Sequence, residues 1–355
     1  MIGFYVHHHG AGHLARSQAI IHELVAPTAV FTSLPTCRAM FPLGTHLVEL
    51  PDDRVVGSTV EPTAGGGLHW APTGLAPIKV RSRLLGTWLT GPDAQLLVCD
   101  VSVEMAVLGR LCGVPTVVVR SHGDRSDRPH RLALDTAAGL LAPFPAELED
   151  ARTPAHIRDR TFYAGLFSRP WPSPISQADA RCELGLDRDA PVLTIVVGAG
   201  GSSLEASAVG EIASRLRGWQ VVLVGTSARP GAGGGVHTVG WVADVRPWLR
   251  AATVVAGHAG ANLVAEIALA DRPFICVPEE RPHDEQYGRA RRLEATGAAV
   301  VANGWPSAPA WPALVDAAQI LGSSRLHGWA VAASPRDAAQ WLESVHRRHA
   351  SGEVA

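Results

Sequence analysis

The segment 257–266, which reads Gly-His-Ala-Gly-Ala-Asn-Leu-Val-Ala-Glu, joins a turn of small residues to a helix that carries a carboxylate about one turn further along. An apolar run before the segment predicts a buried strand, and the apolar residues after it have helical spacing. A helix that begins near Gly260 points free backbone N–H groups and its positive dipole end at an anion. Asn262 is a good N-cap residue, and Glu266 can accept two hydrogen bonds from a ribose diol. These residue types could hold a nucleotide diphosphate, and the alternative is an ordinary capped core helix.

A second candidate site is the loop 7–13, which reads His-His-His-Gly-Ala-Gly-His and ends the first predicted strand. Gly10 and Gly12 permit a tight turn and a close backbone approach, which places His13 at a helix N-terminus. A neutral imidazole there could take a proton from an attacking hydroxyl. A metal site and a solvated polar loop are the alternatives. Successive residues of an extended segment point to opposite sides, so the three adjacent histidines are not expected to bind one ion.

Asp100 directly follows the predicted strand 96–99, at the edge of the sheet where ligands bind in open α/β folds. Its carboxylate could accept a hydrogen bond from the second ring nitrogen of His13, which would fix the tautomer and stabilise the charged imidazole. The alternative role of Asp100 is N-cap of the predicted helix 103–111, although Ser102 could cap that helix instead. Both roles fit the sequence.

The loop 198–203, Gly-Ala-Gly-Gly-Ser-Ser, follows another predicted strand. Glycines such as Gly200 let backbone N–H groups converge on a phosphate, and Ser202 or Ser203 can cap the next helix and donate a hydroxyl to the same group. The loop also begins like the dinucleotide fingerprint G-x-G-x-x-G, but Ser203 stands where its last glycine belongs. The next predicted strand lacks the acidic residue of that fingerprint, so a dinucleotide-binding oxidoreductase is the weaker interpretation.

Two further groups flank the first segment. Trp241 and Val242 follow a predicted strand, and the indole could stack on a nucleobase. The run 278–286 follows the strand predicted at 274–277, and its side chains, which include Glu285 and Gln286, could bind sugar hydroxyls. A charged run of this kind is more often a solvated loop, so it does not identify a site alone.

Composition limits the classes of protein that fit. The net charge of −2 gives no electrostatic reason to expect nucleic acid or an anionic membrane surface as the partner. The five cysteines are scattered without metal-binding spacing, so we expect reduced core residues and a cytoplasmic location. No apolar run approaches the roughly 20 residues that span a bilayer. We therefore expect no transmembrane segment, which leaves peripheral membrane contact open.

Strands and helices alternate in both halves of the chain. The first half predicts strands at 2–6, 29–32, 47–50, 96–99 and 116–119, with helices at 15–25 and 103–111. The second half predicts strands at 192–197, 221–224, 237–239, 251–256 and 274–277, with helices at 205–216, 263–270, 313–321 and 336–348. This order predicts parallel sheets covered by helices on both faces, and a long loop at 52–75 lies outside the pattern.

A length of 355 residues exceeds one typical core, so two domains are expected. The proline-rich stretch 164–172 predicts the linker. The predicted domains are residues 1–165 and 166–335, and the last helix, about 336–350, is expected to pack on the first domain.

The run from Trp241 to Gln286 resembles the donor-binding signature of GT-B glycosyltransferases, especially the UDP-glycosyltransferases, whose core reads H-C-G-W-N-S-x-x-E. Spacing matches without a gap at His258, Gly260, Asn262 and Glu266, whereas Ala261 and Leu263 replace the Trp and Ser of the family. The segments 10–13 and 198–203 are also similar to the N-acetylglucosaminyltransferase family that forms lipid II.

The resemblance implies an α/β protein of the GT-B fold, with two Rossmann-like doubly wound domains facing a central cleft. It implies an inverting transfer of a sugar from a nucleotide diphosphate sugar, with UDP expected, to an acceptor hydroxyl, without a metal ion or a cofactor. His13 would be the general base, oriented by Asp100. The implied donor-binding residues are Gly12, Gly200, Ser202, Ser203, Trp241, Val242, His258, Gly260, Ala261, Asn262, Glu266, Glu285 and Gln286.

Within that set, Trp241 would stack on the base, Glu266 would bind the ribose, and Glu285 with Gln286 would bind the sugar. Ser202, His258 and Asn262 would hold the diphosphate. The acceptor would be a small molecule, a glycan or a lipid-linked molecule bound by the first domain, and the protein would be a monomer or a homodimer. The alternatives are a nucleotide-sugar hydrolase or epimerase of the same fold and a noncatalytic sensor of sugar nucleotides.

Overall fold

The computed structural model describes residues 1–7, 11–34, 38–54, 59–169, 171, 175–198, 201–225, 231–233 and 235–351. The chain divides into two compact units. The first unit contains Met1–Phe144, Ala151–Ala164 and Ser334–Ala355, and the second contains Pro145–Asp150 and Gly165–Ala333. The chain passes between the units close to the proline-rich stretch, and the short segment Pro145–Asp150 groups with the second unit.

The described part of the first unit contains a seven-stranded sheet in which all pairs are parallel. Its strands are β1 (Ile2–Val6), β2 (Thr28–Thr32), β3 (His46–Glu49), β4 (Leu96–Asp100), β5 (Thr116–Val119), β6 (Gly139–Ala142) and β7 (Thr161–Tyr163), in the order β3-β2-β1-β4-β5-β6-β7. Its first helices are α1 (Ala11–Ile21), α2 (Ala76–Leu89), α3 (Val103–Leu111), α4 (Arg128–Thr136) and α5 (Ala155–Arg158). The core lies between the sheet and the apolar faces of α2 and α3.

The second unit contains another seven-stranded sheet, parallel except for one antiparallel pair, β10 with β11. Its strands are β8 (Val192–Val196), β9 (Gln220–Val224), β10 (Gly231–Gly233), β11 (Val236–Gly240), β12 (Val254–Gly257), β13 (Phe274–Cys276) and β14 (Val300–Val301), in the order β10-β11-β9-β8-β12-β13-β14. Its helices are α6 (Gln177–Glu183), α7 (Ala206–Arg215), α8 (Arg246–Ala251), α9 (Ala261–Ala270), α10 (Glu285–Ala295), α11 (Trp311–Leu321) and α12 (Ser324–Val331). Residues of β8, α7 and α11 form much of its core.

The final helix, α13 (Pro335–Ala350), belongs to the first unit and packs against α1. The ring of Trp341 stacks on Phe162 with 5.2 Å between ring centroids. A Cβ atom at Gly139 would lie 3.0 Å from the same indole, so the absence of a side chain there lets the indole approach the strand. The short 3₁₀ helices are Arg38–Met40, Ala146–Leu148, Pro282–Asp284 and Ala308–Ala310.

The observed elements differ from the predicted ones at several ends and in elements that the sequence did not indicate. Those elements are the strands β6, β7, β10 and β14 and the helices α2, α4, α5, α6, α8, α10 and α12. Helix α1 begins at Ala11 and ends at Ile21, four residues before the predicted start and four before the predicted end, because Gly12 and His13 in its first turn interrupt the apolar period. Helix α8 ends at Ala251, so the strand predicted at 251–256 begins later, at Val254. Helix α10 was not predicted, since it is rich in arginine and glutamate.

The structure bears on the expected absence of a transmembrane segment and on the expected burial of the cysteines. No helix in the described ranges is long and apolar enough to cross a membrane. Cys99 and Cys276 are buried free thiols, as expected for core residues. Cys182 is exposed on α6, so the expectation of a core position is wrong for it. Cys37 lies outside the described residues.

Candidate active site

Buried Asp100 and Arg16 form a polar cluster with the partly exposed His13 in the first unit. Val6 and Asp100 are partners in the β1–β4 register, so the carboxyl ends of β1 and β4 lie side by side. Nδ1 of His13 lies 3.0 Å from Oδ2 of Asp100, and Arg16 donates to Oδ1 of the same carboxylate at 2.6 Å. The structure therefore brings together the two residues predicted as base and orienting carboxylate, and adds an arginine that the sequence did not indicate.

The capping alternative for Asp100 is settled by Ser102. The hydroxyl of Ser102 accepts a hydrogen bond from the backbone N–H of Met105, so Ser102 is the N-cap of α3. Val101, which lies between Asp100 and Ser102, has a φ of +75°, a left-handed conformation that is rare for a β-branched residue. Such an outlier marks a backbone position imposed by its surroundings. The turn directs the Asp100 carboxylate to His13 and Arg16.

The charges of this cluster determine which nitrogen of His13 carries the proton. Burial alone would raise the pKa of Asp100, but the charges of Arg16 and His13 and their hydrogen bonds hold it well below its usual range. An ionised carboxylate can only accept, so Nδ1 of His13 must donate to it. The contact of 3.1 Å between Arg16 and the same Nδ1 then joins two donors and is not a hydrogen bond. Nε2 of neutral His13 is left as the basic nitrogen.

The turn between β12 and α9 differs in one respect from its prediction. Gly260 is the N-cap residue, in an extended conformation and without a side-chain cap, and the helix begins at Ala261. Asn262 was predicted as the cap but already lies inside the first turn, so that prediction is wrong. Its side chain instead lies 3.1 Å from the hydroxyl of Ser168 and hydrogen-bonds to Glu266. The first backbone N–H groups of α9 thus have no side-chain cap.

Glu266 is almost completely buried, at 2% exposure. Ser168 donates to its Oε1 at 3.2 Å, and Nε of Arg169 lies 3.8 Å from the same oxygen. Burial raises the pKa of Glu266, although Asn262, Arg169 and Ser168 act in the opposite direction. Arg169 also contacts Asp244, at 3.2 Å. One of the oxygens predicted to bind a ribose diol, Oε1, therefore accepts from Ser168 and lies near Arg169, two residues that the sequence did not indicate.

Glu279, three residues after the end of β13, is the centre of a second polar cluster in this unit. Its Oε1 accepts hydrogen bonds from Ser202 Oγ at 2.8 Å, from the Ser203 backbone N–H at 2.9 Å and from Trp305 Nε1 at 2.9 Å. The predicted capping of α7 by these serines is wrong, because α7 begins at Ala206 without a side-chain cap. Burial alone would raise the pKa of Glu279, but these donors hold it below its usual value.

His258 lies beside this carboxylate. The residue is 3% exposed, and its Nε2 is 3.6 Å from Oε1 of Glu279, too long for a hydrogen bond. Among the described residues Nε2 has no hydrogen-bond partner. Burial lowers the pKa of His258, and Glu279 opposes that shift. Trp305 packs edge-on against the imidazole, with 5.9 Å between ring centroids, and no sequence motif pointed to it.

The remaining predicted residues lie at the edges of these clusters. Trp241 is 71% exposed, and Val242 packs against apolar core residues. Gln286 is buried and its Oε1 accepts from the Glu279 backbone N–H at 3.0 Å, whereas Glu285 pairs with Arg289 at 3.1 Å. Gly12 lies in the first turn of α1, and Gly200 lies outside the described residues.

His69, Asp127 and His130 of the first unit have ligand atoms within 4.8 Å of one another, as a metal site would need. Arg125 lies 3.1 Å from Nε2 of His130, so Nε2 accepts and Nδ1 donates to Asp127 at 2.5 Å. Burial and Arg125 lower the pKa of His130 to about 4. Both ring nitrogens of His130 are engaged, and a cation would have to displace one partner. The cluster therefore fits a closed hydrogen-bond network better than a metal site.

Comparisons with known proteins agree with this architecture. Residues 229–304 match the model of the Glycosyltransferase family 28 C-terminal domain. One relative is the UDP-N-acetylglucosamine--N-acetylmuramyl-(pentapeptide) pyrophosphoryl-undecaprenol N-acetylglucosamine transferase of Clavibacter michiganensis subsp. michiganensis (strain NCPPB 382). The two sequences are 29% identical over 179 residues, and the aligned region covers 47% of this chain and 48% of that protein. The chain thus matches about half the length of its curated relatives.

Solved structures match over nearly the whole chain. The calicheamicin glycosyltransferase CalG4 superposes with a TM-score of 0.65 at 17% identity, covering 98% of both chains. LpCGTa, solved in complex with UDP, superposes with a TM-score of 0.65 at 15% identity, also covering 98% of both chains. The resemblance to GT-B glycosyltransferases is confirmed, and the chain has the two-domain α/β GT-B fold.

Proposed function

We propose that the protein is a glycosyltransferase that moves a sugar from a nucleoside diphosphate to an acceptor hydroxyl, with inversion and without a metal ion. The GT-B fold, the family 28 segment and the similarity to an N-acetylglucosamine transferase support the proposal. UDP is the expected nucleotide, since that relative uses a UDP sugar by name and LpCGTa was solved with UDP. The observation that carries the proposal is the contact of 3.0 Å between His13 and Asp100.

His13 is the proposed general base. The proton of the acceptor hydroxyl passes to Nε2 of His13, and the oxygen attacks the anomeric carbon from the face opposite the nucleotide. The bond between that carbon and the diphosphate oxygen breaks, and the diphosphate leaves with the electron pair. Asp100 stabilises the imidazolium that forms, because its carboxylate accepts from Nδ1 and stays ionised.

The second unit is the proposed donor-binding domain. Ser202, His258 and the uncapped N-terminus of α9 would bind the phosphate oxygens and stabilise the charge that grows on the leaving diphosphate. Glu266 would bind the ribose diol, and full use of its Oε1 would require that the hydroxyl of Ser168 turn away. The exposed indole of Trp241 would stack on the base. Glu285 and Gln286 would bind the sugar.

The first unit is the proposed acceptor-binding domain, and the acceptor is a small molecule, a glycan or a lipid-linked molecule. The segment before α2 is anchored to this unit, because Glu104 accepts from the backbone N–H groups of His69 and Trp70 at 2.7 and 3.0 Å. The proposed place of action is the cytoplasm, with peripheral membrane contact if the acceptor is lipid-linked.

The test is His13→Ala, with His22→Ala as a control because His22 is an exposed histidine just after α1. Purified protein is given UDP-sugars and an acceptor panel, and products are detected by mass spectrometry. His13→Ala should lower turnover at least about a hundredfold and leave UDP affinity unchanged, while His22→Ala keeps both. Consumption of UDP-sugar at the full rate without any acceptor would contradict the transferase and support a hydrolase or epimerase.

A further inference from the structure

The carboxylate of Glu279 lies among hydrogen-bond donors that would suit a phosphate. Its Oε1 accepts four hydrogen bonds, which come from Ser202 Oγ at 2.8 Å, Ser203 N at 2.9 Å, Ser203 Oγ at 3.1 Å and Trp305 Nε1 at 2.9 Å. Two hydroxyls, a backbone N–H and an indole N–H thus converge on one anionic oxygen. We call the groups of Ser202, Ser203, Trp305 and His258 the anion cradle.

A second observation shows that a carboxylate does not fill this cradle. His258 is only 3% exposed, and its Nε2 has no hydrogen-bond partner among the described residues. It faces Oε1 of Glu279 at 3.6 Å. A buried polar nitrogen without a partner is costly. A tetrahedral phosphate carries more acceptor oxygens than a carboxylate and could reach both the serines and the imidazole.

We propose that Glu279 occupies the subsite of a donor phosphate, and that a nucleoside diphosphate must displace its carboxylate to bind. The identity of the ligand rests on the proposed function. Each donor hydrogen can serve one anion well, and two anions within about 4 Å repel each other. Glu279 and a phosphate therefore compete for the cradle.

The backbone around Glu279 allows the side chain to leave by rotation alone. The Glu279 N–H donates to Oε1 of the buried Gln286 at 3.0 Å, which holds the main chain in place. The carboxylate side chain is 13% exposed, so one side of it already meets solvent. Displacement costs the four hydrogen bonds to Oε1, and the incoming phosphate restores them.

Such a displaceable carboxylate has two effects on the reaction. Without ligand, it satisfies the donors of the cradle and keeps Ser202 and Trp305 in position. With ligand, it lowers the affinity for the donor and for the diphosphate product alike, since both compete with it. Glu279 is thus a residue that sets nucleotide affinity and speeds the release of product.

The test compares Glu279→Ala and Glu279→Gln with the wild type and with Glu280→Gln, an exposed neighbour that keeps the local sequence. Binding of UDP and of inorganic pyrophosphate is measured by titration calorimetry on the full chain. Glu279→Ala should bind both about tenfold more tightly, Glu279→Gln should change in the same direction by less, and Glu280→Gln should match the wild type. The amide oxygen of Glu279→Gln still accepts from Trp305, so this variant tests the proposal if the alanine variant unfolds.

Ser202→Ala supplies a sharper readout through a double-mutant cycle. When Glu279 is present, removal of the Ser202 hydroxyl weakens the binding of both the Glu279 carboxylate and the phosphate to the cradle. The affinity for UDP should therefore change by less than about threefold. In the Glu279→Ala background the same change should weaken UDP by about tenfold, because no competitor remains. An equal loss in both backgrounds would overturn the proposal.

The outcomes separate this inference from the proposed function. If the wild type binds UDP and the Glu279 variants bind it equally or more weakly, Glu279 is not a competitor and only this inference fails. If neither the wild type nor the variants bind UDP or another nucleoside diphosphate, the proposed function fails and the inference fails with it. Binding that appears only in the Glu279 variants supports both.

Discussion

Asp100→Asn should destabilise the first unit, because it removes the charge that compensates a buried arginine. The side chains of Arg16 and Asp100 are 9% and 3% exposed, and Nη2 of Arg16 is 2.6 Å from Oδ1 of Asp100. Removal of one partner from a buried ion pair costs about 3 kcal/mol or more. The pKa of Asp100 is lower in the folded state than in the unfolded state, where it is about 4. The ionised carboxylate therefore contributes fully to the free energy of unfolding above about pH 4, and this contribution is lost as the pH falls towards the folded pKa.

The difference between wild type and Asp100→Asn should therefore be constant at neutral pH and shrink below about pH 4. Urea unfolding followed by circular dichroism, at pH values from about 3 to about 8, measures this difference in the free energy of unfolding. Asp135→Asn is the matched control, because Asp135 pairs with His156 on the exposed surface of the same unit. Its unfolding midpoint should match that of the wild type.

The same variant should lower turnover at least about a hundredfold, since an asparagine cannot stabilise the imidazolium of His13. UDP affinity should not change. Two results would refute the reasoning. Wild-type stability would mean that Arg16 and Asp100 do not form the buried pair, and full turnover in a folded variant would mean that Asp100 does not act through His13.

Three further predictions concern the second unit. Glu266→Gln should weaken the binding of UDP by about tenfold or more, but that of 2′-deoxy-UDP by much less, in calorimetric titrations, because we propose that the lost carboxylate binds the ribose diol. Trp241→Ala should leave the thermal midpoint unchanged, since the indole is 71% exposed, and should weaken UDP by about tenfold at most. Gly225→Ala should cost more than about 2 kcal/mol in urea unfolding, and Gly218→Ala only about 1 kcal/mol. Both glycines have positive φ, but a Cβ at Gly225 would lie 1.9 Å from the Val197 carbonyl oxygen, whereas Gly218 has open space.

Most of the buried central strands were predicted for a physical reason, although β6, which is buried at all four residues, was not predicted. Parallel strands that are covered on both faces read as continuous apolar runs, and β1 and β5 have the bounds that their runs predict. Helices that face solvent gave weaker signals. Helix α10 carries a charged face and α2 follows a long irregular segment, so neither stands out by period.

At the candidate site, residues that belong to a local motif could be predicted and their partners could not. The segment 257–266 identified His258 and Glu266 from residue types and spacing. Ser168, Trp305 and Glu279 lie far from it along the chain or inside an ordinary charged run. The assignment of Asn262 as a cap failed because a glycine with extended dihedrals can begin a helix, which frees the asparagine for Glu266.

The same topology explains both polar clusters. Strands β1 and β4 are neighbours, so a carboxylate at the end of β4 meets the histidine that follows β1. Strands β8, β12 and β13 are also neighbours, and the segments that follow their carboxyl ends carry Ser202, His258 and Glu279. In each sheet these strands are not all consecutive in the sequence, so local pattern cannot pair their loops. Once the strand order is known, the rule that groups beyond neighbouring carboxyl ends meet is sufficient to predict that Glu279 reaches the anion cradle.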